Sequence, residues 1–395
     1  MSRKLSIISG LIIFLFVMTH LLNLSLGIFS LELLDSSRPY FFAVWSFLPI
    51  EILLMTAFII HSCIALRSLY LRNTLQMSHQ DKLQLVSSLL IIPLLIPHVF
   101  ALKMAEQTLG ASPTFTSVLT IMWLDLPLEG LRQVLLVIVV WVHGCIGLFT
   151  WLRLKPWWNS LAHFIYPLAV AIPTLALLGF VEAGREAIQL HQDKQMLSAK
   201  NSPAADVTDL TMLNQKIPKT RSKTAYTNQV NLQLTPQVIQ ALILKVDRIK
   251  RISIYCYFAL LMALFIARHI RIRKNRASVE LHYGDGEVVR SKVGPNLLEI
   301  AILNDIPHAN LCHGKGRCGT CRIRILSSSS QLTPVSTLEQ AMLTKLQCSD
   351  DTRLACQTSP SEGVIHLEKL LAPDVQPQNL HVHEKTAAVD QEALS

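Results

Sequence analysis

The chain has 395 residues, of which 51% are hydrophobic and 16% are charged, and its formal net charge is +9. These values argue against a single soluble domain, because soluble domains carry roughly 25% charged residues. The basic residues lie mostly between long apolar runs. The positive charge therefore indicates a membrane topology, and no nucleic-acid partner is expected.

Six apolar runs reach or approach the roughly 20 residues that a helix needs to cross about 30 Å of hydrocarbon. They cover residues 5–29, 41–66, 83–102, 134–152, 161–181 and 252–267. The first run is too long for a signal peptide, and no A-x-A-like cleavage site follows it. The pattern predicts an all-α membrane bundle of six helices, surrounded by lipid, in which the first helix is an anchor.

The basic residues are concentrated in alternate connections between the apolar runs. They occupy the N-terminus, the second and fourth connections and the segment after the sixth run: Arg3, Lys4, Arg67, Arg72, Lys82, Arg153, Lys155, Arg268, Arg271, Arg273, Lys274 and Arg276. Connections rich in Lys and Arg stay in the cytoplasm. We therefore expect a multi-pass membrane protein with both termini in the cytoplasm.

The first four runs carry one histidine each, and a histidine is costly in hydrocarbon and usually functional. Counted at about 1.5 Å per residue, His20 and His98 lie in the outer half of the membrane, whereas His61 and His143 lie in the inner half. Two histidines from different helices at one depth suit axial ligation of a b-type haem. The sequence predicts two haems, although histidines hydrogen-bonded between helices remain an alternative.

Arginines at the inner ends of the runs are candidate partners for the haem propionates. Arg67 and Arg153 follow His61 and His143, and a guanidinium can bind a carboxylate in a bidentate fork. The alternative is that these arginines only determine the topology. His79 and His163 are reserve ligands if the predicted pairing is wrong.

Residues 183–250 connect the fifth and sixth apolar runs and are predicted to form one long external loop. Residues 236–249 within it read as an amphipathic helix that leads into the sixth run.

The C-terminal part alternates short strand and helix patterns. Strands are predicted over 278–284, 287–293, 321–326 and 364–367, and helices over 296–304 and 337–346. The sequence Asp285-Gly286 predicts a hairpin turn between the first two strands. These elements predict a small α+β domain of the β-grasp type.

A Gly-rich loop in this domain carries three cysteines in a C-x5-C-x2-C pattern: Cys312, Cys318 and Cys321. Cys356 follows 35 positions later, and four thiolates with this split spacing can hold one [2Fe-2S] cluster. A zinc site is less compatible, because zinc ribbons usually present two C-x2-C pairs. Cys348 is a rival for the fourth ligand.

Residues 278–373 resemble ferredoxins of the C-x5-C-x2-C type, as in adrenodoxin-like proteins. The resemblance implies Cys312, Cys318, Cys321 and Cys356 as cluster ligands, and it favours Cys356 over Cys348.

The membrane part also resembles a known family, in the runs Thr19-His20-Leu21-Leu22-Asn23 and Trp141-Val142-His143-Gly144-Cys145-Ile146-Gly147. It is similar to the six-helix anchor of certain bacterial class III adenylate cyclases, which resembles the dihaem cytochrome b subunit of fumarate reductases and succinate dehydrogenases and precedes a [2Fe-2S] domain. The resemblance implies that the four membrane histidines are haem ligands. No cyclase domain follows Pro373, so no cyclase activity is expected.

The predicted parts of the chain are membrane helices one to five in 1–182, the external loop in 183–250, the sixth helix with a basic linker in 251–277, the ferredoxin domain in 278–373 and a disordered tail in 374–395. The function expected is electron transfer between the membrane haems and a cytoplasmic [2Fe-2S] cluster, with a quinone or quinol and an unidentified cytoplasmic redox partner. An alternative is a redox-sensing module that acts on a separate effector. Neither interpretation requires a catalytic domain of its own.

Overall fold

The computed structural model describes residues 2–110, 112–153, 155, 157–200, 236–274 and 277–375. Within these ranges six helices are long and apolar enough to cross a membrane. The long helices are α1 (Ser2–Ser25), α3 (Leu48–Leu71), α4 (His79–Leu109), α6 (Pro127–Leu152), α7 (Trp158–Lys200) and α8 (Pro236–Lys274). The prediction of a six-helix membrane part is confirmed.

Short helical segments connect the long helices on the side opposite the C-terminal domain. They are a 3₁₀ turn (Leu26–Ile28), α2 (Leu31–Trp45), α5 (Phe115–Thr120) and a π-helical turn (Ile121–Asp125). The second apolar run is therefore not one helix from residue 41, because the chain breaks at Ser46 and Phe47. Pro49 lies in the first turn of α3, where the missing N–H of proline costs nothing.

The predicted external loop begins with more helix than the sequence indicated, whereas the helix predicted over 236–249 is confirmed. Helix α7 continues to Lys200, and α8 begins at Pro236 as one continuous helix. Residues 183–200 are rich in good helix formers, so the hydrogen-bonded ladder of α7 continues past the apolar run. The rest of that loop and the predicted tail after residue 375 lie outside the described residues.

Four helices form the centre of the bundle. Helix α1 packs on α3 and α4 packs on α6, while α7 lies against α1 and α8 lies against α4. The close approach of α7 to the 3₁₀ turn after α1 depends on glycine, since a Cβ atom added at Gly27 would lie 2.6 Å from the carbonyl oxygen of Gly179. The pairs α1 with α4 and α3 with α6 are the diagonals of this arrangement.

The C-terminal domain is a five-stranded mixed sheet with two short helices. Its elements are β1 (Ser278–Tyr283), β2 (Val288–Lys292), α9 (Leu297–Leu303), β3 (Arg322–Ser328), α10 (Thr337–Lys345), β4 (Thr352–Leu354) and β5 (Gly363–Lys369). The strand order is β2-β1-β5-β3-β4, and only β1 and β5 are parallel among these neighbours. The predicted α+β domain is confirmed, and β4 is the one strand that the sequence pattern did not indicate.

Helix α9 anchors both segments that carry the cysteines. Its N-terminus is a capping box, in which the Asn296 side chain accepts from the N–H of Glu299 at 2.8 Å and the Glu299 carboxylate accepts from the N–H of Asn296 at 3.1 Å. The backbone N–H of Leu298 donates to the carbonyl of Ala355 at 3.1 Å. A Cβ atom added at Gly314 of the cysteine loop would lie 3.7 Å from the Leu298 side chain, so the helix lies next to both segments.

Candidate functional site

The three-cysteine loop turns tightly between α9 and β3. Gly314, Gly316 and Gly319 have φ values of 77°, 61° and 67°, and His313, which precedes Gly314, also has a positive φ of 52°. This left-handed backbone is easily adopted by glycine and turns successive N–H groups towards one point. The N–H of Arg317, for example, donates to the sulfur of Cys312 at 3.4 Å. The loop is therefore shaped to surround an anionic, sulfur-bound group.

The four cysteines are all buried, and their sulfur atoms form two pairs. The sulfurs of Cys321 and Cys356 lie 3.2 Å apart, and the thiols of Cys312 and Cys318 share a hydrogen bond. In the described ranges, no three His, Cys, Asp or Glu side chains converge on a single ion. Two pairs of thiolates could hold the two irons of a [2Fe-2S] cluster.

The surroundings of one sulfur in each pair favour the thiolate, whereas the pKa values of Cys318 and Cys321 are raised by their paired cysteines and by burial. Hydrogen bonds from the Cys318 thiol and from backbone N–H groups hold the pKa of Cys312 below its ordinary value. In the second pair, hydrogen bonds from Cys321 and from the side chain of Gln357 lower the pKa of Cys356. Because thiolates and not thiols bind metals, each pair already contains one sulfur prepared for iron.

Cys348 lies outside this group. It is half-buried, and its sulfur lies 3.8 Å from the carbonyl oxygen of Leu346 and 3.9 Å from a guanidinium nitrogen of Arg322. The four buried cysteines are the set that the resemblance implied.

The four membrane histidines meet in the predicted pairs. The ring centroids of His20 and His98 are 6.4 Å apart, and those of His61 and His143 are also 6.4 Å apart. An ion held at about 2 Å from one nitrogen of each ring would place the ring centres roughly 6 Å apart. The spacing of both pairs therefore fits one metal between each pair of imidazoles.

Each pair spans a diagonal of the four-helix centre. His20 on α1 faces His98 on α4, and His61 on α3 faces His143 on α6. In the described part of the chain, neither diagonal is among the helix pairs that pack closely. The imidazoles thus reach towards each other across the interior, which is where a flat macrocycle would need space.

Hydrogen bonds orient the inner pair. The Nδ1 atom of His143 lies 3.1 Å from the hydroxyl of Ser87 and 3.2 Å from the carbonyl oxygen of Gln84, and Nδ1 of His61 lies 3.3 Å from the hydroxyl of Ser9. A metal-binding histidine usually uses its second nitrogen in this way, which fixes the ring and leaves Nε2 for the metal. These hydrogen bonds are of the kind that orients a metal-binding histidine.

The outer pair is oriented mainly by packing. Nδ1 of His98 is buried without a hydrogen-bond partner among the described residues, and His20 packs between the rings of Phe16 and Phe41. A buried imidazole nitrogen without a partner costs free energy. Ligation of a metal by this nitrogen would offset that cost.

The cysteine loop rests on the end of the bundle nearest the inner pair. Lys315 forms an ion pair with Asp81 of α4 at 3.0 Å, and a guanidinium nitrogen of Arg317 donates to the carbonyl of Thr150 at 3.3 Å. Arg153 donates to the carbonyl of Leu311. These contacts place the loop beside the C-terminus of α6.

The inner histidines lie closest to this contact. Thr150 follows His143 by seven residues, which is about 10 Å along a helix. His98 lies seventeen residues after Asp81 on α4, which is about 26 Å along that helix. The inner pair therefore lies between the outer pair and the cysteine loop.

The predicted propionate partners differ in their positions. Arg67 is exposed near the end of α3, whereas the Arg153 guanidinium contacts the cysteine loop and stacks on Phe149 at 5.4 Å. Of the reserve ligands, His79 begins α4 and His163 stacks on Phe164 at 4.3 Å. Neither reserve histidine belongs to the two histidine pairs.

Several residues of the site had no signal in the sequence. Asp81 looks like an ordinary acidic residue in the first turn of a helix, and Lys315 looks like a solvated loop lysine. Ser9 and Ser87 are small polar residues in apolar runs, which usually indicate nothing more than local hydrogen bonding. Their roles depend on the packing of helices that are distant in sequence.

Comparison with known proteins assigns the C-terminal domain. Residues 282–361 match the family described as the 2Fe-2S iron-sulfur cluster binding domain. A 2Fe-2S ferredoxin of Pseudomonas aeruginosa is 31% identical over 77 residues, which make up 19% of this chain and 69% of that ferredoxin. The cysteine loop described above lies inside the matched residues.

A second group of relatives consists of longer proteins. One subunit of the Na(+)-translocating NADH-quinone reductase of Chlamydia felis, and the same subunit from Chlamydia caviae, are each 25% identical over 107 residues, or 27% of this chain. The match covers 24% of either relative, so this chain spans about a quarter of their length. The similarity therefore concerns one domain.

Proposed function

Because the chain belongs, through its C-terminal domain, to the 2Fe-2S ferredoxin family, we propose that it transfers electrons between two b-type haems in the membrane and the [2Fe-2S] cluster. Cys312 and Cys318 would bind one iron of the cluster, and Cys321 and Cys356 would bind the other. Haems and cluster supply one-electron chemistry when bound, and the protein sets their spacing and potential.

The observation that carries the proposal is the pairing of the four membrane histidines. His20 with His98 and His61 with His143 would each provide two imidazole ligands for one haem, and the separation of 6.4 Å between the ring centroids of each pair suits a shared iron. The resemblance to dihaem anchors of fumarate reductases, succinate dehydrogenases and certain adenylate cyclases supports the same ligand set.

The chain's own groups would do three kinds of work around the haems. Ser9, Ser87 and the carbonyl of Gln84 would fix the inner imidazole rings. The apolar bundle would exclude water. Arg67 and Arg153 would pair with the propionates of the inner haem.

The proposed setting is the bacterial inner membrane, with both termini and the ferredoxin domain in the cytoplasm. The basic segments around Arg72, Arg153 and Arg268 lie on the same side of the bundle as the ferredoxin domain, which supports this orientation. A quinone or quinol in the lipid and a cytoplasmic redox protein would be the two electron partners. The larger relatives are named as components of an NADH-quinone reductase, which agrees with a quinone partner.

The test is the haem and iron content of the full-length protein purified in detergent. We expect two b-type haems per chain, two irons outside haem and two acid-labile sulfides. His98→Ala and His61→Ala should each remove one haem, and they should remove different ones. His163→Ala is the matched control and should retain both. A colourless membrane part, or an unchanged spectrum in His98→Ala, would contradict the proposal.

Electron flow is tested by mixing the protein rapidly with a quinol. Transfer requires that the haem bands and then the cluster are reduced, and that an added cytoplasmic-type acceptor is reduced over many turnovers. Reduction that stops at one equivalent per centre, without turnover, would instead support the redox-sensing alternative.

A further inference from the structure

The cysteine loop has an unusual environment for a surface loop. Every residue from 308 to 323 is buried or half-buried, although most of this segment is neither helix nor strand. Loops normally run over the surface of a protein. Part of this burial comes from the ferredoxin domain itself, where Leu338 and Leu346 pack on the loop. The end of the membrane bundle contacts the loop through Asp81 and Thr150, so the cluster-binding side of the ferredoxin domain faces the membrane part.

An ion pair lies at the centre of this contact. The ammonium group of Lys315 is 3.0 Å from a carboxylate oxygen of Asp81, and their side chains are only 26% and 9% exposed. The second carboxylate oxygen of Asp81 accepts from the hydroxyl of Ser78 at 2.9 Å, and Nδ1 of His313 lies 4.0 Å from it. Asp81 is thus held in place from its own helix, and Lys315 meets a preformed partner.

Two arginines form further hydrogen bonds across the same contact in opposite directions. Arg317 of the loop donates to the carbonyl of Thr150 in the last turn of α6, where free carbonyl groups attract cations. Arg153 of the membrane part donates to the carbonyl of Leu311 in the loop. Each side therefore supplies one cation and one backbone acceptor.

The connection between the two parts is short. Only residues 275–277 separate the end of α8 at Lys274 from the start of β1 at Ser278. Three residues span at most about 10 Å when fully extended. At the other edge of the contact, the Asn73 side chain donates to the carbonyl of Gly294 at 2.7 Å. The linker and these polar contacts restrict the domain to one neighbourhood.

We infer that Asp81 and Lys315 are positioning residues that hold the ferredoxin domain in one pose, with the cysteine loop against the inner histidine pair. The inference rests on the proposed function, because its consequence is rapid electron exchange between the inner haem and the cluster. A soluble redox partner meets the cluster through a different face of the ferredoxin domain, since the membrane part occupies the loop face.

The test is a double-mutant cycle in the full-length protein with Asp81→Asn, Lys315→Met and the double variant. Lys345→Met, an exposed lysine of α10 in the same domain, is the control. Hydrogen exchange of residues 311–317 reports the docking, and stopped-flow absorbance reports cluster reduction from the membrane side. Iron, sulfide and haem contents show whether the cofactors are retained.

Each single variant should raise the exchange of the loop by roughly tenfold or more and slow cluster reduction by roughly tenfold, with unchanged cofactor content. The double variant should be no worse than either single variant, because both remove the same interaction. Exchange and reduction rates equal to those of wild type in Lys315→Met, or additive effects in the double variant, would overturn the inference.

The two proposals can fail separately. If the protein lacks haem, the hydrogen-exchange measurement still shows whether Asp81 and Lys315 hold the domain. Faster exchange of the loop in both single variants would then support the docking role without the electron-transfer role. If haem is present and the exchange of the loop does not respond, the positioning role is refuted while the haem assignment stands.

Discussion

The sulfur atoms of Cys321 and Cys356 lie 3.2 Å apart although the residues are 35 positions apart along the chain. This contact joins the cysteine loop to the segment after β4. It also distinguishes Cys356 from Cys348, whose sulfur contacts a backbone carbonyl and an arginine instead.

The first prediction concerns these two cysteines. Cys356→Ser should abolish or severely weaken the visible absorption of the [2Fe-2S] cluster, because a buried sulfur ligand is lost. Cys348→Ser should keep the cluster, since Cys348 lies outside the four buried cysteines. Visible circular dichroism and acid-labile sulfide per chain measure the result. A cluster that survives in Cys356→Ser and disappears in Cys348→Ser would reverse the ligand assignment.

The second prediction compares two glycines of the ferredoxin domain, both with positive φ. A Cβ atom at Gly363 would lie 2.8 Å from the backbone nitrogen of Ser330, whereas one at Gly286 would meet nothing within 4 Å. Gly286→Ala should lower the free energy of unfolding by about 1–2 kcal/mol, because alanine is strained in a left-handed backbone conformation. Gly363→Ala should lower it clearly more, because the neighbouring backbone must also move.

The measurement is the midpoint of unfolding of the full-length protein, followed through loss of the cluster's visible circular dichroism in increasing denaturant. Equal midpoints for the two alanine variants would show that the contact with Ser330 relaxes without cost.

Much of the architecture was predictable because it depends on local patterns. The apolar runs required long helices, and the alternation around Asp285-Gly286 required a hairpin. The pairing of histidines by depth was also predictable, since depth follows from counting residues along helices of known direction. The spacing of Cys312, Cys318 and Cys321 alone predicted the cysteine loop, whereas the choice of Cys356 as the fourth ligand needed the family resemblance.

The unpredicted features depend on contacts between distant segments. The helix break before α3 lies inside an apolar run, and Pro49 is in the first turn of α3. A hydropathy profile does not show such a break, because it takes no account of the backbone preferences of proline. The pair Asp81 and Lys315 joins residues 234 positions apart, so no local pattern could reveal it. Strand β4 has only three residues and is held by its pairing with β3, which is tertiary information.

The third prediction concerns the buried ion pair between Glu339 and Arg353. Glu339 is fully buried and accepts from Arg353 at 2.9 Å and from the N–H of Leu354 at 2.9 Å, two residues before Cys356. Removing one partner leaves an uncompensated buried charge. Glu339→Ala should therefore destabilise the ferredoxin domain by about 3–5 kcal/mol.

The control for that variant is Glu368→Ala. Glu368 is 49% exposed and lies 3.6 Å from Arg324, and exposed pairs contribute only about 0–1 kcal/mol. Thermal loss of the cluster absorbance, compared between the two variants, measures the difference. Similar losses in both variants would mean that the Glu339 site is hydrated in solution.

The fourth prediction uses two adjacent serines of α4. Ser87 lies 3.1 Å from Nδ1 of His143, whereas Ser88 donates to the carbonyl of Leu85 in its own helix. A hydrogen bond accepted from Nδ1–H makes the imidazole a stronger donor to iron and stabilises the oxidised state. Ser87→Ala should therefore retain both haems and raise the midpoint potential of one of them. A one-electron couple moves about 59 mV for a tenfold change in relative affinity, so a shift on the order of tens of millivolts is expected. Potentiometric titration of the haem bands measures it, with Ser88→Ala as the control, and equal shifts in both variants would exclude a specific role for the Ser87 hydroxyl.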